Sequence, residues 1–297
     1  MYKFIILIFT FLYSNKINAC INGETLILRD GTMLYSDHED RIPYGHHFFI
    51  NEVQNALTSL DSLYKLTKDN SYLSDKGILL IIKGKYKEAI DLYLQIEKNT
   101  PNRYSTAANI GTAYELIGDN ENALKWIQKA MEINAESHYN SEWIHVNILK
   151  AKINGFIAIN SNFLINTDFG GDSLPQSTLK RAELEKLYDA LYYQLNERVT
   201  FVKPEDKIVA LLLFDLGNIA LLIKNHSYAI ENYKLAKKYG FTQLIIEARI
   251  KVATNPTKSE TTVQKNPNSY TNCWQFLIGI VTVILVLLLI FKKRFLL

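Results

Sequence analysis

The chain has 297 residues, 48% of them apolar, with 33 basic residues, 30 acidic residues and two cysteines. That is enough apolar material for a sizeable core and too few cysteines for a disulfide-held scaffold. Five basic residues and no acidic ones lie in residues 1–19 and 292–297, so the remainder is slightly acidic. A broad basic surface of the kind that binds nucleic acid is thereby excluded.

The first residues join Lys3 to an apolar run from Phe4 to Tyr13 and a small residue at Ala19, which reads as a secretory signal over 1–19. Ile17-Asn18-Ala19-Cys20 also resembles a bacterial lipoprotein processing site, which makes Cys20 a candidate for lipidation. Ordinary cleavage after Ala19 is the alternative. Residues 20–47 form a cap. Within it, Thr25 to Leu28 and Thr32 to Tyr35 flank Arg29-Asp30-Gly31, and this spacing predicts a β-hairpin. The following stretch is broken by Pro43 and Gly45 and gathers His38, His46 and His47. These three are weak metal candidates: the imidazoles are present, but no His-Glu-x-x-His or paired-cysteine spacing imposes a coordination geometry. A solvated loop is expected.

A helical domain over 48–252 follows. Val53, Ala56, Leu57, Leu60 and Leu63 recur at helical spacing, and Asp69-Asn70-Ser71 caps a second helix. From Tyr104 to Asn134 the sequence reads as a helical hairpin, with Gly111, Tyr114, Ala123, Ile127 and Ala130 at fixed offsets. Thirty-four positions earlier the same register holds Gly77, Ala89, Tyr93 and Pro101, and further on it holds Gly217, Ala229, Tyr233 and Ala236. This pattern resembles the tetratricopeptide repeat family, with Ile127 where an aromatic residue is usual and Ile96 where a small one is.

Between these matches the pattern lapses. Ala135 to Asn154 is predicted as one helix, on which His138, Glu142 and His145 share a face with ordinary surface contacts. Asp168 to Pro175 is a break, Gln176 to Arg198 a helix, and Glu205 to Lys224 and Tyr228 to Tyr239 a final hairpin closed by Ile245 to Val252. A linker over 253–273 leads to Trp274 to Phe291, which is nearly free of polar groups and is followed by Lys292-Lys293-Arg294. This reads as a single transmembrane helix over 274–291 with a cytoplasmic tail over 292–297. The fold class expected is all-α, a solenoid of stacked helical hairpins with a small β cap and one C-terminal membrane helix.

The resemblance implies a concave surface that holds a peptide or a partner protein. Joined to the two terminal signals, it gives an exported scaffold in the bacterial cell membrane with its main domain in the periplasm. Lys76, Asn109, Asn147 and Asn218, on the first helices of successive units, are the candidate partner-binding residues. The alternatives are a periplasmic sensing or regulatory component that acts through a membrane partner, and an envelope enzyme with a site at the loop from His38 to His47. Neither a nucleotide or phosphate loop nor a nucleophile elbow is present, so neither an enzyme nor a cofactor is expected.

Overall fold

The computed structural model of the chain describes residues 25–36 and 40–255. Its first elements are an antiparallel pair, β1 (Thr25–Ile27) and β2 (Met33–Ser36). Asp30 Oδ1 accepts from the Thr32 amide at 3.0 Å to close the turn. Asp75 accepts from the Arg29 amide at 2.7 Å and so ties the hairpin to the helices.

Among the described residues twelve α-helical segments follow, with one 3-10 turn (Phe156–Ala158) between the seventh and eighth: α1 (Ile50–Thr67), α2 (Asn70–Ile82), α3 (Tyr86–Asn99), α4 (Tyr104–Leu116), α5 (Asn120–Ile133), α6 (Ser137–Asn140), α7 (Glu142–Asn154), α8 (Ser161–Ile165), α9 (Arg181–Phe201), α10 (Lys207–Leu222), α11 (His226–Lys238) and α12 (Ile245–Thr254). Their starts are written in the sequence. Asp69, Asp119, Asn160, Asp206 and Asn225 each accept from a first-turn amide, satisfying donors that the helix itself leaves open.

Three hairpins share one packing device. Gly77, Gly111 and Gly217 on α2, α4 and α10 each face the residue sixteen positions later, Tyr93, Ile127 and Tyr233 on α3, α5 and α11. A Cβ added at Gly111 would lie 2.6 Å from Ile127 Cδ1, and one at Gly217 would lie 2.5 Å from Tyr233 Cε1. The glycine therefore lets the second helix lie against the first, and the large side chain fills the gap. Each helix packs on its neighbours in sequence from α1 to α5, and α2 also touches α4, as stacked hairpins require. This is the tetratricopeptide-like architecture.

The stack is interrupted in the middle. The single helix expected from Ala135 to Asn154 is corrected to α6 and α7, because His138, Tyr139 and Asn140 all adopt left-handed backbone angles with φ of 54° to 55°. Beyond α8 the chain runs to α9 without regular structure. Arg249 of α12 is fully buried and holds that stretch, donating to the carbonyls of Phe169, Gly170 and Asp172 at 3.1, 2.5 and 3.2 Å. α9 then packs on α10, α7 and α6.

The membrane reading is corrected as well. No helix among the described residues is long and apolar enough to cross a membrane. α10 is apolar on nearly every side but ends after 16 residues, short of the ~20 that a bilayer core requires. α9 reaches 21 residues but carries charge along its length from Arg181 to Arg198. The segments read as signal (1–19), lipidated Cys20 and membrane helix (274–291) lie outside the described residues. The exported, membrane-anchored scaffold of the periplasm is withdrawn, and the membrane is withdrawn as a partner.

Candidate functional site

α4, α5, α7 and α9 surround a pocket of about 280 Å³, with the α6 turn at its edge. Its apolar wall comes from Ala108, Leu116, Ile127, Phe201 and Val202, and its polar wall from buried side chains such as Asn109, Glu142, His145 and Arg198 together with half-buried ones such as Lys152 and Glu197. Glu115 of α4 lies at the centre of the polar wall. Its carboxylate meets Arg198 Nη1 of α9 at 2.5 Å, and Lys152 Nζ and His145 Nε2 of α7 at 2.6 and 2.7 Å. Burial alone would raise the Glu115 carboxyl, but Arg198, His145 and Lys152 together hold it well below the usual carboxylate range. Burial likewise works against charge on His145, and Glu115 outweighs it, so the imidazole is raised above its ordinary value.

A second carboxylate continues the chain. Glu142, 3% exposed, accepts from Tyr104 at 3.0 Å, bonds His138 Nδ1, and places Oε2 3.6 Å from His145 Nδ1. Burial would raise this carboxyl too, yet its two histidines depress it strongly. The His138 ring stacks on Tyr193 of α9 with centroids 5.1 Å apart. Carboxylate and imidazole thus alternate from Glu115 through His145 and Glu142 to His138, across α4, α7 and α6.

Three successive non-glycine residues in the left-handed region cost roughly 1–2 kcal/mol each, and such strain persists only where surrounding contacts enforce it. Here it turns His138 inward to Glu142 and Tyr104 and leaves Tyr139 exposed at 69%. Tyr139, Asn140, Trp143 and Ala190 line a neighbouring cavity of about 420 Å³, so the turn forms a wall between two cavities.

The residues singled out from sequence fall in several places. Asn109 lines the pocket and donates to Tyr93 Oη at 2.9 Å. Lys76 pairs with Asp61 at 2.7 Å near the surface, Asn147 donates to the Leu164 carbonyl at 3.1 Å, and Asn218 is fully buried against Tyr233 and Asp215. The four do not converge on one surface. His138, Glu142 and His145 do converge, in the interior rather than on the solvated face expected for them. Glu115 and Arg198 were missed: they lie 83 positions apart, and only the return of α9 joins them.

The cap is corrected too. His46 is not solvated: it is buried, its ring stacks on Tyr35 with centroids 4.0 Å apart, and its Nε2 lies 2.8 Å from Glu197 of α9. Gly45 and His46 amides donate to Asn196 and Thr200 of α9 at 2.9 Å each, and Arg41 pairs with Asp189. His47 is exposed, and His38 lies outside the described residues. Among the described residues no group of three or more histidine, cysteine, aspartate or glutamate side chains is placed to hold a metal ion.

Stacked hairpins around a buried ionic pocket define a tetratricopeptide-like helical-repeat protein. A family described as a domain of unknown function (DUF6340) matches residues 76–151, from within α2 to within α7. No curated protein matches the chain. Among solved structures, a tetratricopeptide repeat protein from Parabacteroides merdae is 19% identical over 69% of this chain and 79% of its own, with a TM-score of 0.36. The thermophilic tetratricopeptide repeat protein TTC0263 of Thermus thermophilus is 14% identical over 69% of this chain and 92% of its own, with a TM-score of 0.34.

Proposed function

We propose that this protein is a helical-repeat regulatory module that takes a short segment of a partner protein into the pocket between α4, α7 and α9 and acts through that partner. The observation that carries the reading is the pocket: apolar on one side, ionic on the other, and framed by both regular and irregular parts of the stack. A mixed wall of this kind suits an extended peptide with alternating apolar and polar side chains. The role is recognition rather than catalysis. The test is a photo-crosslinking residue at Thr112, which lines the pocket, compared with one at Lys238, exposed on α11. Expected is one protein captured reproducibly from cells through Thr112 and absent from Lys238. Equal capture at both positions, or none at Thr112, sinks the reading.

A further inference from the structure

His145 faces a carboxylate with each ring nitrogen: Nε2 lies 2.7 Å from Glu115 Oε2, and Nδ1 lies 3.6 Å from Glu142 Oε2. Only the imidazolium offers an N–H on both sides. The neutral ring must turn a lone pair toward one carboxylate, and the shorter contact decides which. The remaining proton stays on Nε2 with Glu115, so the Nδ1 lone pair then points at Glu142.

Glu142 is also the anchor of the strained turn. Its Oε1 meets His138 Nδ1 and accepts from Tyr104. Both His138 and Tyr139 lean on Tyr193, with centroids 5.1 and 5.5 Å away. Around the imidazole stand Glu115 of α4, Glu142 and Lys152 of α7 and Arg198 of α9, with His138 of α6 and Tyr104 of α4 beyond Glu142. Glu115 keeps Arg198 and Lys152 whatever His145 does. Among the described residues Glu142 pairs with His138 and His145 and with no lysine or arginine, so the loss of the His145 proton falls on Glu142 and on the turn it anchors.

We propose that His145 is a proton-operated latch on the pocket: while it is protonated, Glu142 holds the left-handed turn as the wall between the two cavities, and when it loses its proton the wall gives way. The inference rests on the pocket being a binding site and says when that site is open. The ring is raised above its ordinary value of 6.5 by Glu115 against the opposing effect of burial. The latch is therefore shut in mild acid and opens as pH rises past a midpoint above 6.5.

Hydrogen exchange on the full chain, read by mass spectrometry between about pH 5.5 and 8.5 and corrected for the intrinsic rate, tests this. Amides of 138–142 should lose about tenfold more protection across the midpoint than those of α10, whose own loss reports the titration of Asp215. An NMR titration of the His145 ring in the same protein should give the same midpoint. His145→Gln should leave the turn unprotected at every pH, with α10 protection reporting that the variant is folded. Should that variant not fold, the two unmutated measurements still decide. A difference in protection between the turn and α10 that does not change with pH, or that changes at a midpoint different from that of His145, overturns the latch. Exchange is read without a ligand, so a protein that latches but captures nothing through Thr112 overturns the binding reading alone.

Discussion

Tyr93 Oη accepts a hydrogen bond from Asn109 at 2.9 Å and donates one to the Ser74 carbonyl at 2.8 Å, tying α3 both to α2 and to the first helix of the next hairpin. Tyr233, at the equivalent position, donates only within its own hairpin, to Asn218 Oδ1 at 2.9 Å. Both phenols are buried, so removing either strands polar groups away from water. Tyr93→Phe should cost about 2–3 kcal/mol and Tyr233→Phe about 1–2 kcal/mol. Urea denaturation of the two variants checks the order, and equal costs would count against a role for Tyr93 between hairpins.

The turns inside the hairpins differ at one position. Gly84 and Gly118 have φ of 72° and 83°, and seven residues after Gly217 the same place is taken by Lys224 with φ of 66°. All three amides close the helix end onto a carbonyl three residues back. A side chain in the left-handed region is strained where glycine is not. Lys224→Gly should raise stability by about 1 kcal/mol, and Gly118→Ala should lower it by about as much. A thermal melt that moves the same way for both variants would be the contrary result.

Glu115 neutralises three cations in a space that excludes most water. Glu115→Ala should therefore destabilise by about 3–5 kcal/mol, because it leaves buried charge uncompensated. Arg198→Met should cost less, since Lys152 and His145 remain on the carboxylate. The double substitution should cost less than the sum of the singles. Additive losses would show that Glu115 and Arg198 are not coupled.

Asp215 carries a pH signature of its own. Burial raises its carboxyl to about 7 despite hydrogen bonds from Ser161 and Asn218, against 3.8 when exposed. With the folded value above the unfolded one, its stabilising contribution is complete below 3.8 and is lost as pH rises through about 7. The span corresponds to roughly 4 kcal/mol. Asp215→Asn removes that dependence, so the variant should gain on the parent steadily from mild acid to neutrality in urea melts. A gap that stays constant across this range would contradict the assignment.

The three hairpins were legible because their signal is local: Gly77, Gly111 and Gly217 sit at a fixed distance from the residue they meet, and Asp69 marks the helix start before the first of them. The β-turn at Asp30-Gly31 was legible for the same reason. The helix break at His138 was not, since histidine, tyrosine and asparagine carry no strong signal for left-handed backbone, and Glu142, Tyr104 and Tyr193 impose it from other elements. The burial of Asn218 was equally hidden: a polar residue one place after a packing glycine reads as groove-facing until Tyr233 is seen to need an acceptor. His46 looked solvated because α9, which buries it, lies about 150 positions away in sequence.

That last contact changes what kind of folding unit this is. An open array of repeats can lose its end units one at a time, because each touches only its neighbours. Here residues 41–46 are fastened to α9 through Arg41, Gly45 and His46, so the beginning of the helical stack is buttoned to a helix far along it. Neither end of that span can fray without opening the other. The closure of so long a loop makes folding slower and more cooperative than in an open solenoid of equal length.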